Sequence, residues 1–218
     1  NSTTITQTAS NGINTATANQ DGDNNEVSIS QIGDEGGINW ATAIQNGDDN
    51  TINISQDGAN NTASIFQEAS NSSASITQAN GSSGNTATIN QYLFGEHTSS
   101  ITQSGTGNAA TSDQWGTGQK ATLSQSGENG LILAVQAGNN NTTTASQNGL
   151  ANAFYGNQSG DNLTITSSQT GDNNLISVAQ TGEGNVFNGT QTGNNNIIEG
   201  PSGSPYIQSG DNNTFTIT

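Results

Sequence analysis

Polar and apolar residues alternate along this chain in short runs. In Asn50-Thr51-Ile52-Asn53-Ile54-Ser55-Gln56 the even positions read Asn, Ile, Ile, Gln and the odd positions Thr, Asn, Ser. A period of two belongs to a β-strand, whose successive side chains point to opposite faces. One face of each run is therefore narrow and buried, and the other wet. Asn61/Ala63/Ile65/Gln67, Asn85/Ala87/Ile89/Gln91 and Asn213/Phe215/Ile217 repeat the inward set. The β-branched Thr, Ile and Val suit strands. Each run predicts a strand of about five to seven residues and a turn of about four to six.

The runs recur with a fixed period. Glutamines fall at 136, 147, 158, 169, 180 and 191, one every eleven residues. Glycine follows two places later, at Gly138, Gly149, Gly160, Gly171, Gly182 and Gly193. Asparagine usually stands five places after the glutamine, as at Asn141, Asn152, Asn174 and Asn185. Extended backwards and forwards, the frame takes in eighteen glutamines, from Gln7 through Gln56 and Gln67 to Gln208. Twelve of the seventeen intervals are eleven residues, and glycine stands at the second place in fourteen of eighteen arms, Gly58 among them. The exceptions are Ala9, Ala69, Asn80 and Leu93. A strict period over the whole length marks a repeat architecture. Residues 1–218 read as one repeat domain without a boundary. The longer intervals absorb insertions in turns, except for the apolar Tyr92-Leu93-Phe94-Gly95. The interval from Gln191 to Gln208 holds both prolines, Pro201 and Pro205. Proline cannot donate to a strand ladder, so residues 199–205 are expected to bulge out as an irregular loop, with Ile198 and Tyr206 still in the fold.

Two arms make one coil of about 22 residues, and stacked coils make two facing parallel sheets. The expected fold is all-β, a flat parallel β-solenoid of roughly nine and a half coils with amyloid-like stacking, rising roughly 45 Å at about 4.8 Å per coil. Gln56, Gln67, Gln136, Gln147, Gln158, Gln169, Gln180 and Gln191 then stack on their own kind, as do Asn50, Asn61, Asn141, Asn152, Asn174 and Asn185. Side-chain amides carry donors and acceptors, so a column of them satisfies itself. That explains polar residues at buried positions, where a lone amide is costly. The glycine after each glutamine supplies the positive φ of a tight turn.

Composition narrows the function classes. Only 28% of residues are apolar and 8% charged, with one basic residue and a net charge of −16. Nucleic acid and anionic membrane surfaces are repelled rather than bound. There is no cysteine, hence no disulfide and no thiolate metal site. No apolar run approaches a membrane span. No basic segment followed by an apolar one opens the sequence, so any secretion signal is expected to have been removed. A lone histidine, His97, read as a turn residue in an asparagine place, and a single lysine cannot supply the bases of nucleophilic catalysis. No enzymatic role and no cofactor is expected.

The frame Q-x-G-x-x-N-x-A-x-x-x-Q resembles the curlin repeat, the unit of bacterial curli fibre subunits. Gln56-Asp57-Gly58-Ala59-Asn60-Asn61-Thr62-Ala63-Ser64-Ile65-Phe66-Gln67 matches it at every fixed position, and about nineteen such arms cover essentially the whole chain. The resemblance implies a secreted, extracellular subunit that polymerises as a functional amyloid in the biofilm matrix and supports adhesion. It also implies export of the unfolded chain through an outer-membrane channel and templating by a nucleator subunit. The chain departs from the family's familiar five repeats by having more of them, and by putting acids and Thr where basic and aromatic residues stand.

Solenoids are normally capped, because end coils expose unpaired backbone groups. Here Thr3, Ile5 and Gln7 in the first arm and Phe215 and Ile217 in the last are expected to form open, self-complementary edges. Head-to-tail stacking of identical chains does not close, and gives a filament. An ice-binding solenoid, the rival reading along with a capped adhesin, needs a regular outward Thr-x-Thr array. Thr142/Thr144, Thr164/Thr166 and Thr214/Thr216 start one, but Leu131/Leu133, Val186/Asn188 and Ile197/Glu199 read as interruptions. Trp40 counts to a wet face and Trp115 to a turn, as candidates for lateral fibre contacts or carbohydrate stacking. Asp23, Asp48, Asp161 and Asp172 all lie three places after a glutamine. They read first as a solvated rim that keeps the chain soluble. A column of like charges also favours protonation or a bound divalent cation, which makes these four the only metal candidates. Fibre growth is therefore expected to speed up at lower pH or with added calcium. Growth rates followed by thioflavin fluorescence check this, and rates unchanged between about pH 4 and pH 8 would sink it.

Overall fold

The computed structural model describes the backbone of residues 1–218 and every side chain except that of Asn80. Twenty strands follow one another with almost no helix. They are β1 (Ser2–Ala9), β2 (Ile13–Asp21), β3 (Glu26–Gly33), β4 (Ile38–Asn46), β5 (Thr51–Ala59), β6 (Thr62–Gln67) and β7 (Ser73–Ser83). Next come β8 (Thr86–Gly95), β9 (Thr98–Thr106), β10 (Ala109–Thr117), β11 (Lys120–Glu128), β12 (Leu131–Asn139), β13 (Thr142–Leu150) and β14 (Ala153–Asp161). The last six are β15 (Thr164–Thr170), β16 (Leu175–Glu183), β17 (Val186–Thr192), β18 (Ile197–Ile198), β19 (Tyr206–Gln208) and β20 (Thr214–Ile217).

Alternate arms go to alternate sheets. The first sheet runs β1-β3-β5-β7-β9-β11-β13-β15-β17-β20, and the second runs from β2 through the even strands to β18. Every pairing is parallel, and glutamine lies on glutamine, Gln7 on Gln31, Gln31 on Gln56 and so on, with register shifts only beyond the glutamine in three pairs. The chain is a two-sheet β-solenoid, as its alternation and period demand.

The core is one layer thick. In β5 and its flanks, Asn50, Ile52, Ile54 and Gln56 are buried while Thr51 and Asn53 are exposed. Packing between the sheets trades large for small. Phe154 and Phe187 are fully buried, and each ring lies where the Cβ of Gly156 or Gly189 would stand, 2.5 Å and 2.7 Å from the nearest ring atom. An alanine at either glycine would collide with its own strand's phenylalanine.

Four features differ from the sequence reading. Strands are mostly eight or nine residues long, because identical corners stack and the ladder runs on past the glutamine. The insertion between Gln78 and Gln91 lies within the end of β7, where the register shifts between Gln78 and Ser83. Trp115 is no turn residue but the outward end of β10, stacked on Tyr92 at 4.1 Å. Finally, Leu131, Leu133 and Ile197 belong to the second sheet, and Thr142, Thr144, Thr164 and Thr166 to the first. The two sets never share a face, so the aliphatic pairs of the second sheet do not interrupt the hydroxyl array. Residues 199–205 leave the stack, with a 3-10 turn at Pro201–Gly203, and β19 rejoins β16 beside β18.

Candidate assembly site

A coil is held to the next by three stacked systems. The first is the parallel backbone ladder. The second is the pair of glutamine columns, one behind each sheet. Gln7 Nε2 donates to Gln31 Oε1 at 2.7 Å, and the bond repeats through Gln56, Gln78, Gln103, Gln125, Gln147 and Gln169 to Gln191. Gln20 starts the other column, which passes Gln45, Gln67, Gln91, Gln114, Gln136, Gln158 and Gln180 to Gln208. Every bond is 2.7–3.0 Å long, and every one donates towards the C-terminal coil. The second amide proton fixes that direction. It goes to a backbone carbonyl of the facing sheet, from Gln56 to Trp40 and from Gln147 to Leu131, both at 2.9 Å. A flipped amide would set oxygen against oxygen there.

The third system is the asparagine column at the corners. Asn25 Oδ1 accepts the backbone N–H of Asn50 at 3.0 Å, and Asn39, Asn61, Asn85 and Asn152 do the same for the coil above. The other end of the amide, Nδ2, donates to a corner carbonyl of the next coil: Asn141 to Gly160, Asn152 to Gly171, Asn174 to Gly193 and Asn185 to Gly210. Asn50 Nδ2 has no partner; its coil meets Ala69 where other corners have glycine.

The turn glycines have two reasons to be glycine. Gly58, Gly138, Gly149, Gly160, Gly171, Gly182 and Gly193 all take positive φ, between 102° and 147°. A Cβ on Gly138 would also strike the carbonyl of Gly160 in the next coil. Two places on lies a second left-handed position that the sequence reading passed over. It is held by Asn24, Asn60, Asn140, Asn173, Asn195 and Asn212, at φ of 55–60°. Asparagine tolerates that region better than other side chains. The recurring Asn-Asn pairs, such as Asn60-Asn61, were its signal: the first asparagine turns the corner and the second joins the column.

The acids of the corners are placed by the same stacking. Asp48 Oδ1 accepts the N–H of Asp23 at 2.8 Å, Asp161 that of Asn139 and Asp172 that of Leu150, each at 3.0 Å. They close the corner of the coil below. Asp23 and Asp48 share one edge with Asp161, but Asp172 follows a first-sheet arm and lies on the opposite edge. Among the described residues, no group of three or more His, Cys, Asp or Glu side chains could hold a metal ion.

The end coils show the halves of these contacts. Ile5 and Ile217 point inward yet are 43% and 36% exposed, with no coil over them. Thr3 Oγ1 bonds Gln20 Oε1 at 2.8 Å, and Phe215 stacks on Tyr206 and Phe187.

Residues 35–58 and 47–79 match the family model of the curlin associated repeat. The segment 35–79 thus carries curlin-type repeats. No curated protein and no solved structure matches it. The curlin frame continues on both sides of the matched segment with the same glutamine bonds, up to Gln208. The matched repeats and the β-solenoid fit a curlin-like structural protein, and no helix is long and apolar enough to cross a membrane.

His97 shows how another side chain can serve in the asparagine column. It is fully buried, not a solvated turn residue. Its Nδ1 accepts the N–H of Gln119 at 3.3 Å, and Nε2 lies 3.0 Å from the carbonyl of Tyr92. Only the neutral tautomer with the proton on Nε2 satisfies both, and it imitates an asparagine amide. Burial lowers the His97 pKa, against a smaller rise from the Tyr92 bond. Since the folded pKa lies below the unfolded one, the contribution to stability is full above about pH 6.5 and is lost as pH falls towards the folded value. His97→Asn is expected to flatten the pH dependence of the unfolding midpoint as pH falls below about 6.5. Denaturant titrations of the two soluble chains check this.

Gln147→Leu is expected to lower stability by at least about 2 kcal/mol, because it strands the buried Gln125 donor and Gln169 acceptor. The exposed neighbour Asn148→Ser should stay within about 0.5 kcal/mol of the unaltered protein, in the same titration.

Proposed function

We propose that this protein is a fibre subunit that stacks head to tail with copies of itself, outside the cell, as a curli-like functional amyloid of the biofilm matrix that supports adhesion. One observation carries the reading: the glutamine columns join coil to coil by the same bond throughout, with a fixed donor side and acceptor side. At the first coil the column shows the oxygens of Gln7 and Gln20; at the last it shows the nitrogens of Gln191 and Gln208. Head to tail, the register sets Ser2 on Thr214, Thr3 on Phe215, Thr4 on Thr216 and Ile5 on Ile217; in the second sheet the donor Gln208 meets the acceptor Gln20, while in the first sheet β20 lies as one rung between Gln191 and the incoming Gln7. Head to head, oxygen meets oxygen. A dedicated outer-membrane export channel and a nucleator subunit are the partners that belong to this reading, and secretion to the cell surface is its setting.

The hydroxyl array on the first sheet supports a second reading, a monomeric ice-binding or adhesive solenoid. A chain that stays monomeric at high concentration and slows ice growth would favour it.

The chain has no cysteine, so crosslinking tests the joint directly. Strands one rung apart bring Cα atoms to roughly 4.8 Å, inside disulfide range. A mixture of Thr4→Cys and Thr216→Cys chains is expected to yield disulfide-linked dimers under oxidation, along with unbranched filaments in electron micrographs. Either variant alone should stay uncrosslinked. Efficient crosslinking of one variant with itself would mean head-to-head or tail-to-tail contact, and would sink the polar joint.

A further inference from the structure

The two outer faces of the solenoid differ, and the difference points to a lateral partner. On the first sheet the position just before each glutamine is a hydroxyl from Thr6 to Thr190 without a break, through Ser30, Ser55, Thr77, Thr102, Ser124, Ser146 and Ser168. That face is flat, polar and at ease in water. On the second sheet that position is mixed, from Ile44, Phe66 and Val135 to Asn90 and Asp113, and the large side chains collect across the outward positions as a whole. All six strand-borne aromatics that point outward lie there: Trp40, Phe66, Tyr92, Phe94, Trp115 and Tyr155. Phe66, Tyr92 and Trp115 touch in series, at 5.6 Å and 4.1 Å between rings. Further along, Leu133, Leu175 and Ile197 continue the strip.

We infer that the outer face of the second sheet packs on the same face of a second copy of this chain, so that the mature fibre is a pair of solenoids rather than a single one. Three observations choose that occupant. The face is roughly 45 Å long and about 20 Å wide, which gives about 900 Å² per partner, close to the roughly 800 Å² of a stable interface. Its charge is sparse: in the aromatic stretch the central acid, Asp113, is already engaged by Asn90 at 2.7 Å, and most other acids stand in the corners, at the rim of such a contact. The contact is also isologous, since the same strip serves both partners. The first-sheet face remains on the outside of the pair; its outward positions are mostly hydroxyl, and its exposed aliphatics Ile32 and Leu150 stand singly at strand ends, so association stops at two.

The pairing uses a face at right angles to the coil edges, so it is separable from head-to-tail growth. The triple variant Trp40→Thr/Leu133→Thr/Tyr155→Thr removes apolar area from the strip; all three side chains point outward. Mass per length of filaments by scanning transmission electron microscopy is the readout. One chain of 22.1 kDa per roughly 45 Å is about 0.5 kDa per Å. The unaltered protein is expected at twice that value and the triple variant at the single value, with the axial repeat unchanged. A single value for the unaltered protein, or a double value kept by the variant, overturns the inference. If no filaments form, the head-to-tail reading fails by itself. Sedimentation of the soluble chain then decides the pairing: a dimer that the triple variant turns to monomer supports it, and a monomer in both overturns it. Retention of the unaltered protein on insoluble polysaccharide, lost in the variant with mass per length at the single value throughout, would assign the strip to glycan instead.

Discussion

A buried amide must find partners, and in this protein that obligation governs everything else. The core is too thin and too polar to hold by apolar burial alone: each coil contributes two glutamines and usually two asparagines to an interior closed to water. An amide so placed is costly if unpaired. It is satisfied only by another amide one rung away, in the same rotamer and at the same height. The parallel register, the eleven-residue period and the positive-φ corners are the geometry that keeps those amides in line.

The same constraint gives the rod a direction. Backbone hydrogen bonds of a parallel sheet point alternately up and down the stack, and their dipoles largely cancel. The sixteen glutamine bonds do not alternate. Polarity is therefore a property of the side chains, and any subunit joined in register inherits it. Three substitutes in the asparagine column keep the acceptor: Ser72, His97 and Gln119 each take the next coil's N–H, whereas Gly130 has none to offer. Where Leu163 stands in that place, the acceptor is absent and the backbone ladder alone spans the gap.

Much of this was legible in the chain. The period of two gave the strands, the period of eleven gave the coil, and the glutamine spacing gave the column. What was hidden had a common cause: neighbours in sequence are on opposite sheets. Leu131 and Leu133 seem to break a threonine array only until alternate arms are sorted apart. The contrast between hydroxyl and aromatic faces, like the placing of Asp161 and Asp172 on opposite edges, appears only after that sorting. Trp115 was misplaced for a related reason, since the corner begins later than turn chemistry suggests. Stacked glycines extend the ladder beyond the glutamine, and the aromatic after it rides on a strand.

The detour between Gln191 and Gln208 shows what the stack measures. Seventeen residues replace eleven, a 3-10 turn and two prolines leave the coil, and Gln208 still receives the Gln180 bond at 2.9 Å. Loop closure grows only slowly more expensive with length, while a missed amide is penalised at once. The fold therefore counts rungs, not residues. Its corners are seams where sequence can lengthen and drift while the pitch of the rod stays the same, so the interior is conservative and the perimeter is free to diversify.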